Sequence, residues 1–203
     1  MSGDDRRPLG EATKIANEMV ALLQPSETHI VVAGSVRRER ATVGDIELVV
    51  MTDDPRHLLA RLDSHVINGV VNKARYGDSY RWGEKYRGVM LNGMRCEIFI
   101  ATPANFGYIL WLRTGPGDAN TFVMKRLADA QSPYRAVGGQ WVQNGKPMIV
   151  DTETEMFRLL GMPYLPPQVR SEDAYRARMR KWQPVKDVRF DESAPVGVQK
   201  TMF

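Results

Sequence analysis

One stretch constrains this chain more than any other: Ala33-Gly34-Ser35-Val36-Arg37-Arg38-Glu39-Arg40-Ala41-Thr42-Val43-Gly44-Asp45-Ile46-Glu47-Leu48-Val49-Val50. Residues 29–33 and 46–50 are short runs of β-branched and apolar residues, the composition of strands. Between them lie a Gly-Ser turn and a short basic helix. Alternation along the second strand sends Asp45 and Glu47 to one face, with Cα atoms roughly 7 Å apart. Two neighbouring carboxylates repel each other unless a cation lies between them, and hard oxygen donors with an open side suit Mg²⁺. The Gly34-Ser35 turn, at a helix start, can offer backbone N–H groups to an anion, and Arg37 and Arg38 add positive charge. By itself the Asp-x-Glu pair reads equally well as an exposed edge strand beside a solvated basic face. The Gly-Ser turn at a fixed distance favours a site. A phosphate cradle next to metal-binding carboxylates points to phosphoryl transfer.

The rest of the chain alternates helical and strand signals, which predicts an α+β protein. Ala12, Ile15, Ala16, Met19, Leu22 and Leu23 recur at helical spacing over residues 8–24. A second helix is predicted from Pro55 to about His65, with both helices on one face of a sheet. Residues 78–101 read as a hairpin turning at Asn92-Gly93, so that Val89 and Leu91 face Cys96 and Met94. Its returning strand carries Glu97 on the same face as Phe99, with Cys96, Ile98 and Ile100 on the other. A carboxylate in so apolar a strand needs a metal or an ion pair, for which Arg95 and Arg87 are the candidates. Basic residues (Lys73, Arg75, Arg81, Lys85, Arg87) interleave with Tyr76, Tyr80, Trp82 and Tyr86. They suit a nucleic-acid surface or a charged edge that deters aggregation.

Past residue 102 the pattern changes to a helix from Pro103 to Leu112, broken at Thr114-Gly115-Pro116-Gly117, and a helix led by Asp118 or Asn120. Short strands follow between Gly138-Gly139 and Asn144-Gly145, then a capped helix from Thr152-x-x-Glu155 to Gly161. A final basic helix spans 171–182, and from Pro184 the chain reads as a tether. The expected division is therefore 1–102, 103–183 and an extended tail, 184–203. The 203 residues are 43% hydrophobic and 26% charged, which excludes disorder, and the formal charge of +4 favours a polyanionic partner. A lone cysteine, Cys96, cannot form an internal disulfide and fits a reducing cytoplasm. No segment has the pattern of a secretory signal or a membrane span, and His29, His57 and His65 lack metal-ligand spacing.

Gly34-Ser35, the paired Arg37-Arg38 and Gly44-Asp45-Ile46-Glu47 resemble the signature of family X DNA polymerases, the DNA polymerase β-like nucleotidyltransferases. Arg95-Cys96-Glu97 corresponds to that family's third carboxylate, and Leu112-Arg113-Thr114-Gly115 stands where the family has Tyr-Phe-Thr-Gly. Asn120 falls on its base-facing asparagine. Gly161-Met162-Pro163-Tyr164, with Pro166-Pro167 and Arg170, is similar to the end of its thumb. The likeness runs from about residue 10 to residue 172 and is similar to short phage and bacterial members. It implies a palm-like nucleotidyltransferase domain with a small α/β thumb, and the absence of the family's lyase and helix-hairpin-helix modules.

By this resemblance Asp45 and Glu47 would bridge two Mg²⁺ ions, with Mn²⁺ as the alternative. Glu97 would hold the catalytic ion and take the primer hydroxyl proton. Gly34, Ser35, Arg38 and Gly44 would hold the triphosphate, and Arg113, Thr114, Gly115 and Asn120 would meet the nucleotide. The implied activity is addition of a deoxynucleoside triphosphate to primer-template DNA by a monomer in the cytoplasm of a bacterial or phage-infected cell. Two departures stand out. Glu47 and Glu97 replace aspartates, and Leu112-Arg113 replaces an aromatic pair. A transferase acting on a small molecule, protein or RNA, or a catalytically weak DNA-binding accessory protein, are the alternative readings. Finally, Gln199, Met202 and Phe203 resemble the peptide by which bacterial polymerases dock on the sliding clamp, or they fold back onto the thumb.

Overall fold

The computed structural model describes residues 6–24, 29–180 and 182–194. The chain divides into two compact units, residues 1–102 and 103–203. In chain order the first runs β1 (Arg7–Pro8), α1 (Leu9–Leu23), β2 (His29–Val32), α2 (Gly34–Arg37), β3 (Thr42–Val43) and β4 (Ile46–Met51). It continues with α3 (Pro55–Ile67), β5 (Asn72–Lys73), β6 (Arg75–Tyr76), β7 (Ser79–Tyr80), β8 (Tyr86–Leu91) and β9 (Met94–Ala101). Five of the strands form one mixed sheet in the order β2-β4-β9-β8-β5, flanked by helices, the α+β class expected.

Helix α1 buries Ala12, Ile15, Ala16, Met19 and Leu23, and α3 buries Leu58 and Leu62. These stripes pack with Ile46, Leu48, Val50, Cys96 and Ile98, the residues of β4 and β9 that share one face of the sheet. Each larger side chain removed from water contributes about 1.5–3 kcal/mol, so this face is committed to the core. Helix α3 begins where Asp54 accepts a hydrogen bond from the Arg56 amide at 3.0 Å with Pro55 in the first turn. Period 2 then leaves Glu47 and Glu97 on the opposite face, away from α1 and α3.

Register within the sheet is fixed by the β8–β9 turn. Asn92 and Gly93 both have positive φ, 50° and 74°, as a two-residue hairpin turn requires. Leu91 therefore pairs with Met94 and Val89 with Cys96, as the sequence predicts. The first arm of the hairpin is shorter than expected. Ser79–Tyr80 turns back to pair with Arg75–Tyr76 in a separate two-stranded ribbon.

The second unit comprises α4 (Phe106–Thr114), α5 (Gly117–Asp129), β10 (Tyr134–Val137), β11 (Gln140–Gln143), β12 (Lys146–Pro147), α6 (Glu153–Leu159) and α7 (Glu172–Arg178), with a 3-10 turn at Pro167–Val169. Thr152 caps α6 by accepting from the Glu155 amide at 3.1 Å, but the Glu155 carboxylate pairs with Arg158 at 2.7 Å, so only half of the expected capping box forms. Gly107 lets α4 approach this cap, because a Cβ there would overlap the Thr152 backbone. An aromatic core gathers Trp111, Trp141, Tyr134 and Tyr175, with Trp111 Nε1 donating to Tyr175 Oη at 2.9 Å. Arg170 is fully buried against Glu153, 2.7 Å away.

Three boundaries differ from expectation. Helix α4 starts at Phe106, not Pro103, and α5 starts at Gly117 without a side-chain cap. Helix α7 ends at Arg178 because Met179 and Trp182 leave the helix to become buried, Trp182 Nε1 donating to the Leu159 carbonyl at 3.3 Å. Arg180 therefore lies beyond the helix. Residues 184–191 are not a free tether. The Ile149 amide donates to the Arg189 carbonyl at 2.8 Å, the Asp191 amide to Pro147 at 3.0 Å, and Arg189 pairs with Asp151 at 2.7 Å. Gln199, Met202 and Phe203, expected to resemble a clamp-docking peptide, lie outside the described residues.

Candidate active site

The Gly-Ser turn sits directly against Glu47. The Ala33 amide donates to the Glu47 carbonyl at 2.7 Å, joining the end of β2 to β4. Gly34 then takes φ of 60°, a conformation glycine adopts freely. Its missing side chain matters a second time, since a Cβ would overlap the Glu47 carboxylate. A single turn, α2, follows, with Ser35 in it and Arg38 at its end. Arg38 Nη2 lies 3.4 Å from Ser35 Oγ. The chain returns through β3, which pairs with β1 (Arg7 opposite Val43). That pairing brings Arg6 over the strand entry, where its guanidinium donates to the Thr42 carbonyl at 2.7 Å. Gly44 leaves room for it, because a Cβ there would meet Arg6 Nη1 at 3.3 Å.

Strands β4 and β9 run parallel with Glu47 opposite Glu97, so the two stand one strand spacing apart, about 4.8 Å. Asp45 precedes β4. Its carboxyl pKa is raised by burial and then by the charge of Glu97, while Arg95, Arg6 and Arg38 oppose the shift. Glu47 and Glu97 thus stand side by side and Asp45 feels the charge of Glu97, with Gly34 against Glu47 and Arg38 acting on Asp45. Burial and the Asp45 charge also push the neighbouring Cys96 thiol up to about 12, so it stays protonated. Among the described residues no group of three or more His, Cys, Asp or Glu is gathered into a ready-made metal centre. The donor set nonetheless suits a hard divalent cation in kind. All three are oxygen donors, and Asp45 feels the charge of Glu97 that a cation would offset.

Neither expected arginine pairs with Glu97. Its Oε1 accepts instead from Tyr76 Oη at 2.8 Å, and Tyr76 Oη lies 2.6 Å from Tyr86 Oη. Burial, with Glu97 adding to it, pushes the Tyr76 hydroxyl up to about 12, so it is a hydrogen-bond donor at any neutral pH. Arg87 is buried on Asp63 at 2.9 Å. Arg81 and Arg95 stand over the Tyr76 ring at 4.4 and 4.6 Å, and Lys73 and Arg87 over Trp82 at 4.5 and 4.4 Å. The interleaved basic and aromatic run therefore folds largely onto itself, leaving Tyr80, 52% exposed, as its open ring.

The remaining predicted residues share one corner of the second unit. Thr114 closes α4 and is fully buried, Gly115 turns the chain with φ of 63°, and Arg113 is half-buried. Asn120, 8% exposed, donates from Nδ2 to the Leu112 carbonyl at 2.8 Å, and its Oδ1 has no hydrogen-bond partner. Two residues near the carboxylates escape sequence reasoning. Arg6 lies before the first periodic segment, and Tyr76 sits in a two-residue strand. The glycine at position 88, opposite Glu97, was the available signal for the second.

No protein-family model matches the chain. The DNA polymerase/3′-5′ exonuclease PolX of Bacillus subtilis is 26% identical over 170 residues, which cover 82% of this chain and 29% of that protein. The chain thus spans under a third of the length of that relative. Among the described residues, no helix is long and apolar enough to cross a membrane.

Proposed function

We propose that the first unit is the nucleotidyltransferase centre of a family X-type DNA polymerase, adding a deoxynucleoside triphosphate to a primer 3′-hydroxyl. The observation that carries this reading is the parallel register pairing Glu47 with Glu97, whose charge acts on Asp45, with Gly34 against the Glu47 carboxylate. The distant similarity to a Bacillus polymerase over most of the chain supports it. Asp45, Glu47 and Glu97 would hold Mg²⁺ or Mn²⁺, two ions in all. When bound, these supply Lewis-acid stabilisation of the attacking and leaving oxygens. In the reaction the 3′-oxygen bonds to the α-phosphorus, the bond to the pyrophosphate oxygen breaks, and the hydroxyl proton goes to the Glu97 carboxylate. Ser35 and Arg38 hold the leaving phosphates by hydrogen bonding and charge. Arg6 and Arg95, both acting on Asp45, moderate the negative charge of the cluster. Arg113, Thr114, Gly115 and Asn120 are assigned to nucleotide contacts on the resemblance alone.

Primer extension with labelled deoxynucleotides and either Mg²⁺ or Mn²⁺, in preparations cleared of host polymerase, tests the reading. Extension by the natural chain and none by Asp45→Ala is expected. Undiminished extension by Asp45→Ala overturns the site assignment. A catalytically weak DNA-binding protein is the second reading, favoured by the lack of a gathered three-carboxylate group among the described residues. DNA binding without incorporation under either metal would select it.

A further inference from the structure

Tyr76 belongs to the two-stranded ribbon, outside the main sheet, yet its hydroxyl reaches Glu97 Oε1 at 2.8 Å. The opening is Gly88. It is the register partner of Glu97 on β8, and directly opposed residues of an antiparallel pair project to the same face. A Cβ at Gly88 would stand 2.5 Å from Tyr76 Oη and 2.9 Å from its Cε2. Ribbon and strand are tied at this point, since the Ala74 amide donates to the Gly88 carbonyl at 2.9 Å. The strand beside Glu97 is therefore bare, and the Tyr76 hydroxyl occupies the space.

The proton order is set by chemistry. An ionised carboxylate accepts only, so Tyr76 gives its proton to Glu97 and accepts one from Tyr86. Tyr86 is itself stacked on Phe99, 4.7 Å between centroids. Every link of the chain is thus packed in place. Glutamate has one more rotatable bond than aspartate, and each unrestrained rotor costs ordering entropy when a ligand is bound. A carboxylate of that length gains from being held before a cation arrives. Partners of metal-ligating groups act in this way and commonly change metal affinity 10–100-fold when removed.

We propose that Tyr76 is a positioning residue for Glu97, acting through the gap left by Gly88 and backed by Tyr86. This rests on the metal-site reading of Glu97. Mn²⁺ binding to the purified full chain, followed by the electron paramagnetic resonance of the free ion, tests it without relying on turnover. Tyr76→Phe keeps the ring for Arg81 and Arg95 and removes only the hydroxyl. Gly88→Ala evicts that hydroxyl by a different route. Each variant is expected to weaken Mn²⁺ binding at least about 10-fold while melting within a few degrees of the natural chain. The double variant should be no weaker than either single one, because both remove the same contact. Unchanged binding in Tyr76→Phe, or full additivity in the double variant, overturns the proposal and leaves the carboxylate site standing, provided that Asp45→Ala still abolishes binding. No Mn²⁺ binding by the natural chain overturns both. Tyr76-dependent binding without primer extension sustains the positioning role and overturns the polymerase reading.

Discussion

Replacing Gly34 by alanine strikes the carboxylate cluster without altering a carboxylate. Gly34 has φ of 60°, which costs an L-residue about 1–2 kcal/mol. The new methyl group falls on the Glu47 carboxylate, which must withdraw by about 1 Å to regain van der Waals contact. A misplacement of about 1 Å costs a reaction on the order of 100-fold in rate. Stability should suffer much less. At about 2–4 °C per kcal/mol for a chain this long, the melting temperature falls by roughly 2–8 °C. Gly34→Ala is therefore expected to remain folded at 25 °C and to lose about 100-fold in single-turnover nucleotide incorporation. The assay pairs that rate with a thermal melt on the same preparation. A folded Gly34→Ala protein turning over at the natural rate would refute the claim that Gly34 keeps space for Glu47.

Other perturbations test the second unit. Arg170→Met removes the guanidinium that pairs with buried Glu153, the two side chains being 0% and 5% exposed. A loss of about 3–5 kcal/mol is expected by urea unfolding, and a loss below about 1 kcal/mol contradicts the account of that core. Hydrogen bonding to Arg189 holds the Asp151 carboxyl below its ordinary value of 3.8. Its stabilising contribution is therefore complete above that value and is lost as pH falls through the lower folded value. Asp151→Asn at neutral pH should imitate the acid state, with faster hydrogen exchange at the Ile149 and Asp191 amides. Unchanged protection in both conditions would show that the backbone bonds hold residues 184–191 alone.

Local rules made much of the first unit legible. Asn92-Gly93 fixes a turn that fixes a register, and the register carries Glu97 to the face that Glu47 occupies. Parallel pairing of β4 and β9 could not be read from either strand, although alternation separates Glu97 from the apolar face of Cys96, Ile98 and Ile100. The hidden part depends on contacts between segments without a period of their own. The charge of Arg6 acts on Asp45 because a two-residue strand pairs with another two-residue strand. Tyr76 reaches Glu97 because a glycine on a third strand leaves a gap. The docking of residues 184–191 rests largely on backbone hydrogen bonds, which leave little mark on side-chain composition. Helix α7 is shorter than its sequence allows because burying Met179 and Trp182 outweighs another helical turn.

The central claim is that Asp45, Glu47 and Glu97 form one cation site that serves nucleotide transfer. A crystal structure of the natural chain grown with Mn²⁺ and a non-hydrolysable deoxynucleoside triphosphate, with anomalous diffraction recorded at the manganese edge, tests it most directly. The account predicts anomalous density bounded by oxygens of those three residues, with the triphosphate beside Ser35 and Arg38. Manganese bound elsewhere, or a triphosphate seated away from the three carboxylates, would contradict it.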